Sequence, residues 1–134
     1  MRVFLAAPLF SEAERNFNTQ VAGELRAAGF DVWLAQEAPF IQEGSAEEKK
    51  AIFDGDIKAL RDSNVVLAVL DGIDVDSGVA FEMGYAYAIG KPIFGLRTDY
   101  RTFSMIEQIN LMLEVPLRGI FKTVEDAIAV LKKI

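Results

Sequence analysis

Apolar runs and amphipathic stretches alternate along this chain regularly enough to predict its elements. Arg2 to Ala7 is a short apolar run ended by Pro8, and Ser11 with Glu14 has capping-box spacing, so a strand, a turn and a helix are expected. Ala13, Phe17, Val21 and Leu25 recur at helical spacing as far as Gly29, which stands where a helix-terminating glycine belongs. Asp31 to Leu34 reads as a second strand, and Gln36 to Gly44 as a polar loop. Ser45 with Glu48 repeats the capping-box spacing, opening a helix whose inner stripe is expected to include Ile52, Phe53, Ile57 and Leu60.

The run from Val65 to Leu70 is apolar on both faces, as a central parallel strand covered by helices requires. An acidic loop, Asp71 to Ser77, then leads into a helix from Gly78 to Ile89 that closes at Gly90, and Pro92 to Leu96 supplies a fourth strand. Phe103 to Leu113 is expected to contain a short helix, Gly119 to Phe121 a fifth strand, and Thr123 with Asp126 the start of a closing helix. This alternation predicts an α/β fold: a doubly wound, five-stranded parallel sheet, flavodoxin-like or Rossmann-like, in the order 2-1-3-4-5, with residues 1–134 forming one domain. Ligand sites in such sheets lie beyond the carboxyl ends of the strands, here Ala6 to Phe10, Leu34 to Gln36, Asp71 to Ser77 and Arg97 to Tyr100.

Composition narrows the chemistry. With 134 residues, 51% hydrophobic and 25% charged, the chain is of ordinary globular type, and its formal net charge of -6 disfavours nucleic acid polymers and anionic membranes as partners. No apolar run approaches the roughly 20 residues needed to span a bilayer. The opening apolar run lacks a signal-peptide cleavage site and reads as a strand, so a cytoplasmic setting is expected. There is no Cys and no His. Disulfides, thiolate nucleophiles, Ser-His and Cys-His catalysis and most transition-metal sites are thereby excluded, leaving carboxylates, Tyr, Lys and Arg, with no metal and no cofactor expected.

Asp74-Val75-Asp76-Ser77-Gly78-Val79-Ala80-Phe81-Glu82-Met83-Gly84-Tyr85 follows the central strand and enters a helix rich in small residues. It places Asp76 and Glu82 near the cleft. Glu82 lies about one turn into the helix, where the dipole is expected to favour an ionised carboxylate. From these residues alone Glu82 reads equally as a nucleophile and as an acid that merely satisfies the helix dipole.

Ala7-Pro8-Leu9-Phe10 and Gly78-Val79-Ala80-Phe81-Glu82-Met83-Gly84 resemble two motifs of the nucleoside 2-deoxyribosyltransferase family, a Gly-Pro-Leu-Phe turn and a Gly-x-x-x-Glu-x-Gly helix start. The resemblance extends to Gly-Asp-Ile-Lys-Ala-Leu at 55–60 and to Ile109-Asn110-Leu111-Met112, so it spans most of the chain. It implies that Glu82 attacks the anomeric carbon to form a deoxyribosyl ester, which a second nucleobase or water then resolves with retention. It also implies proton donation to the leaving base by Asp56, a residue that periodicity does not distinguish from Asp54 or Asp62. Asp76 matches a position contacting the 5' end of the sugar, where a carboxylate favours a hydroxyl over a phosphate. Further substrate contacts are implied at Phe4, Pro8, Phe10, Gln36 and Gly78, and Asn110 and Met112 match residues lent to a neighbouring subunit, implying a homo-oligomer, a dimer or larger, with shared active sites.

Two departures stand out. Phe4 occupies a position where many members have a Tyr that orients the nucleophile, for which Tyr85 or Tyr87 could substitute, and the sequence closes on Lys132-Lys133-Ile134 rather than an aromatic tail. The expected activity is transfer of deoxyribose from a 2'-deoxynucleoside to a free nucleobase. A hydrolase acting on deoxynucleosides or their 5'-monophosphates would use the same Glu, and a non-catalytic nucleoside-binding module is the alternative of another class. A phosphorylated receiver and a flavodoxin are disfavoured, because Ala6-Ala7-Pro8 offers neither the acids nor the phosphate loop that they need after the first strand.

Overall fold

A computed structural model describes residues 1–134. Its elements, in chain order, are β1 (Arg2–Ala6), α1 (Glu12–Ala27), β2 (Asp31–Leu34), a 3-10 turn (Ala35–Glu37), α2 (Ala46–Asp62), β3 (Val65–Val69), α3 (Ser77–Ala88), β4 (Ile93–Leu96), α4 (Leu111–Glu114), β5 (Ile120–Phe121) and α5 (Val124–Leu131). The strands form one parallel sheet in the order β2-β1-β3-β4-β5, the doubly wound α/β arrangement that the alternation predicts.

β3 is central because every one of its residues is apolar and buried. Val65, Leu67 and Val69 pack on one face with Val21, Ala22 and Leu25 of α1 and with Ala127 and Leu131 of α5. Val66, Ala68 and Leu70 pack on the other with Ala59 and Leu60 of α2 and with Val79, Met83 and Ala86 of α3. Each of the valines, leucines and Met83 among them contributes roughly 1.5–3 kcal/mol on leaving water. A strand with polar residues on either face could not take this place. No helix is long and apolar enough to cross a membrane.

The first capping box is complete: Ser11 Oγ accepts from Glu14 N at 3.1 Å, and Glu14 Oε1 accepts from Ser11 N at 2.7 Å. Gly29 and Gly90 take left-handed φ values of 97° and 75° just past their helices, as a C-terminal glycine allows. Elsewhere the pattern misleads. The second box is half made: Ser45 accepts from Glu48 N at 3.1 Å, while the Glu48 carboxylate turns back to the amides of Gln42, Glu43 and Gly44 and braces that loop. Phe53 is not on the buried stripe of α2; it is 51% exposed and packs on Phe81, ring centroids 5.8 Å apart. The short helix expected within 103–113 begins only at Leu111, because the Asn110 side chain accepts from Met112 N at 2.9 Å and caps it there. Before it, Ser104 closes a turn by accepting from Glu107 N at 3.0 Å.

The loops leaving β3 and β4 are clamped together. Arg97 is fully buried, its guanidinium donating to the carbonyls of Leu70, Gly72 and Arg101. In return the Asp71 carboxylate accepts from the amides of Thr98 and Asp99 at 2.7 and 3.0 Å, and Asp99 accepts from Gly72 N at 2.9 Å. This clamp fixes the segment that delivers the start of α3.

Candidate active site

α3 begins where Asp76 caps it, one carboxylate oxygen accepting from Gly78 N at 3.0 Å and from Val79 N at 3.1 Å. Val79, Met83 and Ala86 then pin one face of the helix to the sheet, and Glu82 falls at the edge of that face. It projects into a cleft of about 300 Å³ lined also by Phe53, Asp56, Ile57, Leu60, Gly78 and Phe81. A Cβ at Gly78 would meet the Asp76 carboxylate at 3.1 Å, so the cleft wall is close to its capping acid.

A larger and mainly apolar cavity of about 600 Å³ lies alongside. Leu9 and Phe10 come to it from the turn after β1, Trp33 and Ala35 from the end of β2, Phe40 and Ile41 from the following loop, and Ile52, Gly55 and Asp56 from α2. Asp56 lines both spaces.

Glu82 is not held ionised by the helix dipole. It is the sixth residue of α3, beyond the first turn where that effect operates, and burial together with the charges of Asp56 and Asp76 pushes its carboxyl up to about 8. No hydrogen bond or cation opposes the shift. Burial also raises Asp56, with the Trp33 indole pulling the other way. The Asp56 charge is one of the causes of the Glu82 shift, so the two carboxyls titrate as a coupled pair.

The sequence model of the nucleoside 2-deoxyribosyltransferase family matches residues 3–119. The chain belongs to that family. Two solved structures share the fold over almost the whole length: a conserved protein from Enterococcus faecalis V583, with TM-score 0.82, 28% identity and coverage of 99% of this chain and 98% of the other, and the 2-deoxyribosyltransferase of Bacillus psychrosaccharolyticus, with TM-score 0.82, 26% identity and coverage of 95% and 90%. The CMP N-glycosidase of Clostridium botulinum matches at TM-score 0.60 and 20% identity over 99% of this chain and 98% of that one, a likeness of fold. No curated protein matches significantly. Membership makes the chain an enzyme of the deoxyribosyltransferase type, directed at N-glycosidic bonds.

Of the residues that the resemblance singled out, Glu82, Asp56 and Gly78 share the narrow cleft, and Phe10 with Asp56 lines the large cavity. Asp76 acts on the Glu82 charge from its capping position. The others lie elsewhere. Phe4 is buried in the core beneath α2 and α3 and lines none of these cavities, because β1 directs it into the sheet's packed face. Gln36 spends both ends of its amide on α1, accepting from Asn18 at 2.9 Å and donating to Arg15 O at 2.9 Å and Thr19 Oγ1 at 3.1 Å. Pro8 lines a separate cleft of about 260 Å³ on the α1 side of the sheet, and its carbonyl accepts from Asn18 at 2.8 Å. Asn110 caps α4, and Met112, 72% exposed, borders an apolar hollow with Met83 and Tyr87, away from the Glu82 cleft. Neither tyrosine takes the place of the missing hydroxyl, since Tyr85 accepts from Arg61 and Tyr87 faces that hollow.

Sequence reasoning passed over Trp33, Phe40 and Arg15, all of which line the large cavity. Trp33 stands at the carboxyl end of β2, where ligand sites gather, and as the chain's one tryptophan it was the available signal.

Folding raises the Glu82 pKa from 4.5 to about 8, so the folded chain keeps a proton that the unfolded chain gives up. The resulting stability is complete below the unfolded value and is lost as pH rises through the folded one. Glu82→Gln, which does not titrate, is therefore expected to gain on the parent between about pH 5 and pH 9, by about 2–4 kcal/mol at the upper end. Denaturant midpoints at the two pH values check this, and an unchanged difference would mean that Glu82 is already ionised in the fold.

Proposed function

We propose that the chain is a nucleoside 2-deoxyribosyltransferase that works through a covalent ester on Glu82. The observation that carries the reading is that Asp56 borders both the apolar cavity and the Glu82 cleft. A nucleoside laid across this junction puts its flat base in the cavity, its sugar against Glu82 and the glycosidic nitrogen side toward Asp56. The ionised Glu82 oxygen attacks the anomeric carbon, the C1'–N bond breaks with its electron pair going to the base, and Asp56 supplies a proton to that base. In the second half a new base attacks the same carbon, the Glu82 ester bond breaks and the proton returns to Asp56. Two inversions give retention.

The two acids need opposite protonation states, and between their titrations the pair holds a single proton. The productive arrangement places it on Asp56, leaving Glu82 as the anion. A base filling the cavity removes water from Asp56, which favours its protonated form.

Asp76 supports a preference for unphosphorylated sugars. Its carboxylate already occupies the Gly78 and Val79 amides, the helix-start donors that a 5'-phosphate would seek. Arg97 is consumed by carbonyls beneath the loops and Arg101 is paired with Asp99 at 2.6 Å, so neither offers a free cation. A 5'-hydroxyl can donate to the remaining Asp76 oxygen.

The reading includes an assembly of identical subunits that share sites. Phe53 and Phe81 at the cleft mouth, together with Tyr87, Leu111 and Met112, form an exposed apolar surface around α3 and α4. Asn110 and Met112 would then serve a neighbour's cleft rather than their own.

Glu82→Ala is expected to lower base release from a deoxynucleoside by at least roughly a thousandfold while the fold persists. Chromatography of products with and without an added acceptor base reads both outcomes: a new nucleoside marks transfer, free deoxyribose marks hydrolysis, and wild-type-like turnover of the variant would remove Glu82 from the mechanism. Deoxynucleosides should exceed their 5'-monophosphates in kcat/KM by roughly tenfold or more, and Asp76→Ser should narrow the gap. Equal or better use of the monophosphate would transfer the assignment to a nucleotide hydrolase. Light scattering in solution should return at least twice the chain mass of 14.8 kDa, and a monomer with full activity would rule out shared sites.

A further inference from the structure

Trp33 lies on β2 opposite Phe4 of β1, which turns its ring to the same side of the sheet as α2. There it forms part of the cavity wall that ends at Asp56. Its Nε1 is buried and forms no hydrogen bond of regular geometry. A buried N–H without an acceptor is costly, and in a folded protein such a group calls for an explanation. The acceptor that it acts on is the Asp56 carboxyl, which it makes more acidic while burial makes it less so. The other charged groups facing Asp56 are Glu82 of α3, across the narrow cleft, and Arg15 of α1, across the large cavity, where Arg15 Nη1 donates to Leu9 O at 3.2 Å.

A free carboxyl turns readily about its last torsion, which is broad and roughly two-fold. Only one of its oxygens can carry the proton toward a bound base. We infer that Trp33 is the positioning residue for that acid: its Nε1–H closes onto one Asp56 oxygen and so presents the other, with its proton, to a base seated in the apolar cavity. This rests on the proposed role of Asp56 as donor to the leaving base. In that role Trp33 would meet the acid and the faces of the base but none of the reacting atoms.

As the only tryptophan, Trp33 gives a single indole N–H signal in a 15N-correlated NMR spectrum. That signal should shift with pH at a midpoint above the ordinary aspartate range, lose the step in Asp56→Asn and keep it in Glu82→Gln. The 13C carboxyl signal of Asp56 should titrate at higher pH in Trp33→Phe, which keeps an aromatic ring and removes the N–H, and kcat for base release should fall about tenfold in the same variant. An indole signal that does not titrate, a step that survives Asp56→Asn, or an Asp56 midpoint unmoved by Trp33→Phe would overturn the inference. The spectra are taken without substrate. An indole step that behaves as expected in a chain that releases no base from any deoxynucleoside would therefore sink the glycosyl-transfer reading, and with it the catalytic purpose of the contact, while the contact itself stood.

Discussion

Glu82 is held out of water beside two other carboxylates, and no cation is placed to offset them. Much of the surrounding structure can be read as what makes that arrangement tolerable. Val79, Met83 and Ala86 dock α3 on the sheet, Asp76 discharges part of its own charge into the helix-start amides, and Glu82 escapes the cost of burial by keeping its proton until about pH 8. The same tension suits a nucleophile. An anion denied solvent and hydrogen bonds has much to gain by forming a neutral ester, whereas a Glu ion-paired to Arg would have to surrender that partner first.

The clamp between the β3 and β4 loops makes this geometry possible from below. Arg97 carries a full positive charge into the interior with only carbonyl oxygens as partners, an expensive way to join two loops. It has the merit of adding no further negative charge near Asp76 and Glu82. Asp71 and Asp99 complete the clamp by accepting backbone amides, so their carboxylates are committed on the loop side of the sheet rather than free at the cleft.

The fold was legible because its strongest signals are local and periodic: Val65 to Leu70 apolar on both faces, Ser11 with Glu14, Gly29 and Gly90 past their helices. What failed were residues whose fate depends on a distant neighbour. Phe53 fits the apolar period of α2 but meets Phe81 instead of the core. Gln36 has the chemistry to read a base edge but lies within reach of Asn18 and Arg15. The ionisation of Glu82 departs from expectation for the same reason, since its helix position is visible in sequence and its desolvation is not. Glu82 and Asp56 were found through resemblance. Trp33, which no quoted motif contains, became visible only when β2 and α2 closed around one cavity.

The division of the site into two unequal spaces bears on whether sugar passes to a base or to water. The narrow cleft, which the proposed function gives to the sugar, is small and beside three acids, while the cavity which it gives to the base is larger and walled by Phe10, Trp33, Phe40 and Ile41. In the proposed mechanism the ester would remain on Glu82 when the first base departs, and the cavity which that base leaves is mainly apolar. Water gains few hydrogen bonds there, whereas an incoming base regains stacking on the aromatic walls and the Asp56 contact. On the proposed function the cavity thus favours the nucleophile that resembles the leaving group. A hydrolase on the same plan would need a polar group to hold water near the anomeric carbon; of the polar side chains on the base side, Asp56 would in the proposed reaction deliver the proton, the Trp33 N–H is assigned to that acid, and Arg15 donates to Leu9 O at 3.2 Å.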